Sequence, residues 1–172
     1  MPMFWQVRAM KAKKLTKLAL LTTIALIIFT VEAQIPVPVP VPGVKLGLAN
    51  IVTVYAAFTM AGAEAVLILL CRIILGSLFT GNMMALFYSL GGGALCIAVT
   101  LLLSKILSRK QIWIASVVGA IFHNIGQILV AAAVMKSFAV MAYLPVLLIS
   151  GVVTGAFTGF AAQHLTERLD KK

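Results

Sequence analysis

The sequence predicts an all-helical integral membrane protein, a single domain of six transmembrane helices with both ends in the cytoplasm. Three observations carry that prediction. Of the 172 residues, 62% are hydrophobic and only 10% are charged, and the mean hydropathy is +1.12, well outside the soluble range. The apolar residues fall into runs long enough to cross a hydrocarbon core of roughly 30 Å, about 20 residues of helix. The basic residues behind the net charge of +10 gather at the ends of those runs and do not coat one surface, a distribution that excludes nucleic acid as the partner and sets topology instead.

The runs are 15–31, 46–60, 63–79, 83–103, 112–135 and 138–162. The second and third are short and meet at Ala61-Gly62. Read as one helix they would overshoot the bilayer, so a tight turn near Gly62 is expected. Residues 1–14 form a basic N-terminus, 32–45 a proline-rich outer loop and 163–172 a polar tail. Arg8, Lys11, Lys13, Lys14 and Lys17 precede the first run, Lys105, Arg109 and Lys110 follow the fourth, and Arg168, Lys171 and Lys172 follow the sixth. Six crossings place all three groups on one side and leave Lys45 and Lys136 opposite, which makes both termini cytoplasmic by the positive-inside rule. Val31-Glu32-Ala33 loosely resembles a signal-peptidase site. Cleavage there would leave an odd number of crossings and break the charge pattern.

The first connection, Ile35 to Gly43, alternates Pro with apolar residues. Each Pro fixes its own φ and extends its predecessor, so the segment is expected to be a stiff polyproline-type rod, either a plain connector or a wall over an outward-facing pocket. Gly91-Gly92-Gly93 would loosen or kink the fourth helix, at a place where a ligand or a neighbouring backbone approaches. Gly151, Gly155 and Gly159 form a ridge on the sixth helix, suited to close helix packing. Thr16, Ala19 and Thr23 make a second small-residue stripe on the first. Cys71 and Cys96 lie in apolar runs, where Cys acts as a small hydrophobe. Neither a metal-ligand spacing nor a phosphate-binding glycine loop occurs, so no metal and no cofactor is expected.

Polar residues inside apolar runs are the candidate site. His123, Asn124 and Gln127 share one wedge of the fifth helix at 100° per residue, either as a structural network or as a ligand lining. Arg72, midway along the third helix, needs a partner in lipid. The options are Glu32, a helix C-terminus, backbone carbonyls, an anionic ligand or a water-filled cavity; Glu64 lies two turns away on the cytoplasmic side. Lys45 and Asn50 open the second helix, and Asn82 and Tyr88 flank the opening of the fourth. These eight residues, Lys45, Asn50, Arg72, Asn82, Tyr88, His123, Asn124 and Gln127, are the expected substrate contacts.

The run Pro42-Gly43-Val44-Lys45-Leu46-Gly47-Leu48-Ala49-Asn50-Ile51-Val52, with His123-Asn124-Ile125-Gly126-Gln127 and with Tyr143-Leu144-Pro145 ahead of the glycine ridge, closely resembles the Gx transporter family, long labelled component I of heptaprenyl diphosphate synthase. The likeness extends from Leu15 to Ala162. That family looks related to the substrate-binding S components of energy-coupling factor (ECF) transporters. The resemblance implies a six-helix bundle of ECF S-component type in a bacterial plasma membrane. It also implies an outward pocket for a vitamin or a quinone or isoprenoid precursor, and docking to a T component and ATPases through the first helix. Thr16, Ala19 and Thr23 match that docking stripe but are more polar than its usual alanine pattern. The synthase label implies a different role, that of a non-catalytic membrane partner of a prenyl diphosphate synthase subunit or of a quinone-linked redox system. Prenyl synthases hold magnesium with clustered aspartates, and this chain has one Asp, Asp170, so no catalytic residue is assigned. A scaffold whose polar groups only pack helices is the third reading.

Overall fold

The structure, a computed structural model, describes residues 2–35 and 47–170. The proline-rich segment, Lys45, Lys171 and Lys172 therefore lie outside the described residues. Six α-helices follow in order: α1 Pro2–Glu32, α2 Asn50–Thr59, α3 Gly62–Thr80, α4 Met83–Leu103, α5 Ile112–Met135 and α6 Leu144–Asp170. Short 3-10 turns, Arg109–Gln111 and Phe138–Tyr143, lead into α5 and α6.

Five of these, α1 and α3 to α6, are long and apolar enough to cross a membrane, whereas α2 has 10 residues. Its rise is about 15 Å, half of a hydrocarbon core. The apolar run expected to be helical from Leu46 starts only at Asn50, because Gly47 turns the backbone into the left-handed region at φ 85°. The helix stops at Met60, whose extended conformation leads into α3. α2 compensates by burial: Asn50, Val52, Thr53, Val54, Tyr55, Ala56 and Ala57 are all buried.

The sixth helix also differs from its expected bounds of 138–162. Phe138–Tyr143 winds as a 3-10 turn, and the α-helix starts at Leu144, which puts Pro145 in the first turn where its missing N–H breaks no intrahelical bond. At the other end the helix continues to Asp170, with Gln163 bonding Glu167 at 3.1 Å and Arg168 bonding His164 at 2.9 Å, the four-residue spacing that steadies an exposed helix. α1 likewise begins well before Leu15.

Glycine spacing dictates the packing. A Cβ on Gly91, Gly92 or Gly126 would strike the facing helix, down to 2.5 Å between Gly126 and the Gly91 carbonyl oxygen, so α4 and α5 meet backbone to backbone. α4 remains one unbroken helix through the three glycines. On the opposite side of α5, Gly151 lies against Ala120 and Asn124, Gly155 against Val117 and Ser116, and Gly159 against Trp113 and Ser116. The descending register is that of antiparallel neighbours. α1 runs alongside α3 in the same direction: Lys14, in the middle of α1, pairs with Glu64 in the first turn of α3, and Phe29 near the end of α1 meets Gly76 toward the end of α3.

These contacts sort the helix ends. Lys17 Nζ lies 5.9 Å from the Tyr55 ring centroid, Tyr55 packs with Ile112 and Ala162, and Leu101 lies beside Gly62. The Lys14 turn of α1 and the starts of α3 and α5 therefore share one end of the bundle with the ends of α2 and α4 and with Ala162. Glu32 and the start of α2 mark the opposite end.

Candidate functional site

The site begins with Glu32, the last residue of α1 and only 2% exposed. Its carboxylate accepts from the amide of Gly47, and its second oxygen accepts from the amide of Ala49 at 3.3 Å. Both amides belong to the turn that leads into α2, where free N–H groups and the helix dipole favour a negative charge. An acid at the end of one helix thus holds the entrance of the next.

Arg72, on α3 and also 2% exposed, reaches the same entrance. Its Nη2 donates to Asn50 Oδ1 at 3.1 Å, and its guanidinium carbon lies 5.6 Å from the centroid of the Phe29 ring, within cation–π range. Glu32 acts on it electrostatically. The partner of the intramembrane Arg is therefore the first residue of α2, with Glu32 balancing its charge at longer range. Glu64 is engaged elsewhere, with Lys14 and with the Ala61 amide at 3.4 Å.

His123 approaches from α5. On one side it lies against Gly92 of α4, where an added Cβ would sit 2.7 Å from the His123 carbonyl oxygen, 2.8 Å from Gln127 Cγ and 3.0 Å from His123 Cε1. On the other it faces Gly47, where an added Cβ would stand 3.0 Å from Asn50 Nδ2 and 3.7 Å from His123 Nε2. His123 also feels the charge of Arg72. Glu32, Gly47, Asn50, Arg72, His123 and Gln127 thus form one cluster drawn from α1, α2, α3 and α5, and the bare backbone of Gly92 makes room for it.

Within this cluster several buried polar atoms have no hydrogen-bond partner among the described residues: Asn50 Nδ2, Arg72 Nε, His123 Nδ1, and both side-chain polar atoms of Gln127. An unsatisfied buried donor or acceptor costs about 1–3 kcal/mol. A group of them around one point is an arrangement that a ligand or ordered water can satisfy, and it can bind and orient a polar group.

The remaining expected contacts stand apart. Asn124 turns away from its two neighbours and donates to the Leu147 carbonyl of α6. α5 lies between α4 and α6, so a 100° wedge of it serves two interfaces. Tyr88 is buried in an apolar cluster with Ile128, Ala131, Val140 and Leu147. Asn82 is exposed and caps α4 by accepting from the Ala85 amide at 3.0 Å. Thr16, Ala19 and Thr23 are exposed on α1; the two hydroxyls bond back to their own helix at 2.9 Å. Ala19 and Thr23 line an apolar groove of about 340 Å³ between α1 and α3. No group of three or more His, Cys, Asp or Glu able to hold a metal ion occurs among the described residues.

In the sequence Glu32 stood out only as a partner for Arg72 and Gly47 did not stand out at all, whereas the close approach expected at Gly91-Gly92-Gly93 is met by α5. The signal for Glu32 was its place at the end of an apolar run, next to a connection that must return to the bundle. Gly47 carried no such signal, because its part is the absence of a side chain against residues far away in the chain.

Compared with known proteins, residues 21–165 match a family model described as heptaprenyl diphosphate synthase component I. No curated protein and no solved structure matches the chain.

Proposed function

The chain belongs to the heptaprenyl diphosphate synthase component I family, and from that premise we propose that it is a multi-pass membrane subunit that captures a small solute in the cluster around Arg72 and His123. The observation that carries the reading is the convergence of Asn50, Arg72, His123 and Gln127, each at most 4% exposed, with polar atoms left without a partner among the described residues. A purely structural network would close on itself, since each open group in an apolar interior works against folding.

In this reading the chain crosses the membrane six times, with α2 completing the count inside the shelter of its neighbours. The end bearing Lys14, Lys105, Arg109 and Lys110 faces the cytoplasm of a bacterial cell. Solute enters at the opposite end, beside Glu32 and Gly47. Asn124, Asn82 and Tyr88 support the site by fixing α6 and the start of α4. Thr16, Ala19 and Thr23 form the face for a T component with its ATPases. Catalysis is not required: the solute is bound and passed on unchanged.

The family description supports a second reading, a non-catalytic membrane partner of a prenyl diphosphate synthase. The sole Asp of the chain is Asp170, near its end, so the aspartate clusters such a synthase needs would come from the other subunit.

Native mass spectrometry of the protein extracted from its own membrane tests both. A retained polar metabolite that disappears in Arg72→Gln and His123→Ala, while those variants keep their helical content, is the expected result. Empty protein carrying a prenyl synthase subunit would replace the first reading with the second. A metabolite retained equally by both variants would move the site elsewhere.

A further inference from the structure

Glu32 and Arg72 are the charged side chains buried among the described residues, each 2% exposed, and their charges cancel. Glu32 is committed on both oxygens, to the Gly47 and Ala49 amides. Arg72 has one nitrogen committed to Asn50 and leaves Nε open. Around them the unpartnered atoms are mostly donors: Asn50 Nδ2, Arg72 Nε and Gln127 Nε2, against Gln127 Oε1 as acceptor and His123 Nδ1, which serves as either. The Asn50 assignment follows from its bond to Arg72, because only its oxygen can accept from a guanidinium.

Two ligand classes would offer acceptors to such a cluster. A carboxylate or phosphate would bring a further negative charge beside a pair already at neutrality, and an uncompensated ion in these surroundings is far more costly than an uncompensated dipole. An uncharged carbonyl group, such as an amide, offers the same acceptor oxygen without the charge.

We infer that Glu32 sets the charge class of the ligand: by balancing Arg72 it makes the cluster a site for an uncharged group bearing carbonyl oxygens and turns away carboxylates and phosphates. This rests on the solute-binding reading above and adds to it a specificity-determining residue that touches the α2 entrance and acts on the ligand through Arg72.

The test compares two probes of one shape, benzamide and benzoate, by thermal unfolding of the purified protein at pH 8, above the ordinary range of an imidazole, so that His123 contributes no charge. Benzamide is expected to raise the melting temperature of the wild-type protein more than benzoate does. Glu32→Gln, which leaves Arg72 unbalanced, is expected to reverse that order, and Glu32→Gln with Arg72→Gln to restore it. If Glu32→Gln does not fold, Arg72→Gln alone carries the test: with Glu32 now unbalanced, it should be stabilised by methylammonium, which leaves the wild-type protein unmoved. Benzoate stabilising the wild-type protein as strongly as the Glu32 variant, or no variant changing its order of preference, overturns the inference. Its failure is separable from that of the solute-binding reading. A retained metabolite that is anionic and is released by Arg72→Gln sinks the inference and leaves the reading standing, whereas a metabolite released by neither site variant sinks the reading itself.

Discussion

Arg72 and Asn50, 22 positions apart in the chain, are joined by a hydrogen bond of 3.1 Å that ties the guanidinium of α3 to the first residue of α2. The bond has consequences for both partners. It gives a buried cation a neutral acceptor where lipid would supply none, and it fixes the amide of Asn50 with its Nδ2 toward Gly47, which His123 also faces. One contact therefore contributes to folding and arranges the site.

Asn50→Leu removes the acceptor at nearly constant volume and is expected to destabilise the protein by about 2 kcal/mol, the scale of a hydrogen bond to a charged group. Thermal unfolding in mild detergent reads this directly. An unchanged midpoint would mean that Arg72 finds another acceptor as readily.

Gly92→Ala tests the close approach of α4 and α5. Its Cβ would lie 2.7 Å from the His123 carbonyl oxygen, and backbone cannot yield as a side-chain tip does. The helices must separate, at a cost of roughly 1–3 kcal/mol for an overpacked interior, and His123 moves with α5. Loss of both stability and retained solute is expected; loss of neither would show that the interface is slack.

Gly47 and Gly81 provide a matched pair. Both have left-handed backbones, at φ 85° and 65°, so Ala at either pays about 1 kcal/mol of backbone strain. Around Gly81 nothing lies within 4 Å, whereas a Cβ on Gly47 would sit 3.0 Å from Asn50 Nδ2. Gly81→Ala should lower the melting temperature and leave solute retention intact. Gly47→Ala should impair both.

Ser116 and Thr158 share a 3.0 Å hydroxyl contact between α5 and α6, beside the glycine ridge. A double-mutant cycle with Ser116→Ala and Thr158→Val is expected to give a coupling of about 0.6 kcal/mol, the average for such bonds in membranes. Thr158 also bonds the Thr154 carbonyl at 2.8 Å, which keeps its hydroxyl satisfied when Ser116 is lost. A coupling several times larger would make this contact, and not the glycines, the chief tie between the two helices.

The sequence by itself determined that the chain is helical, where most of its helices lie, and which end of each carries the charge. Those properties depend on the length and composition of continuous runs and need no knowledge of neighbours. It also marked Asn50, Arg72, His123 and Gln127, because polar groups in apolar runs are costly wherever they end up. Only the tertiary structure decided that α2 is a short enclosed helix, since its start depends on the left-handed turn at Gly47 and its shortness on walls supplied by the other helices. It alone divided Asn124 from His123 and Gln127, by placing α4 on one side of α5 and α6 on the other. And it brought Glu32 into the cluster, because an acid at the end of α1 has no assigned partner until the chain returns and offers it the amides of Gly47 and Ala49. Periodicity along one helix identifies a face, but what that face meets depends on backbone approach between helices, here governed by glycines whose contribution is the space they leave.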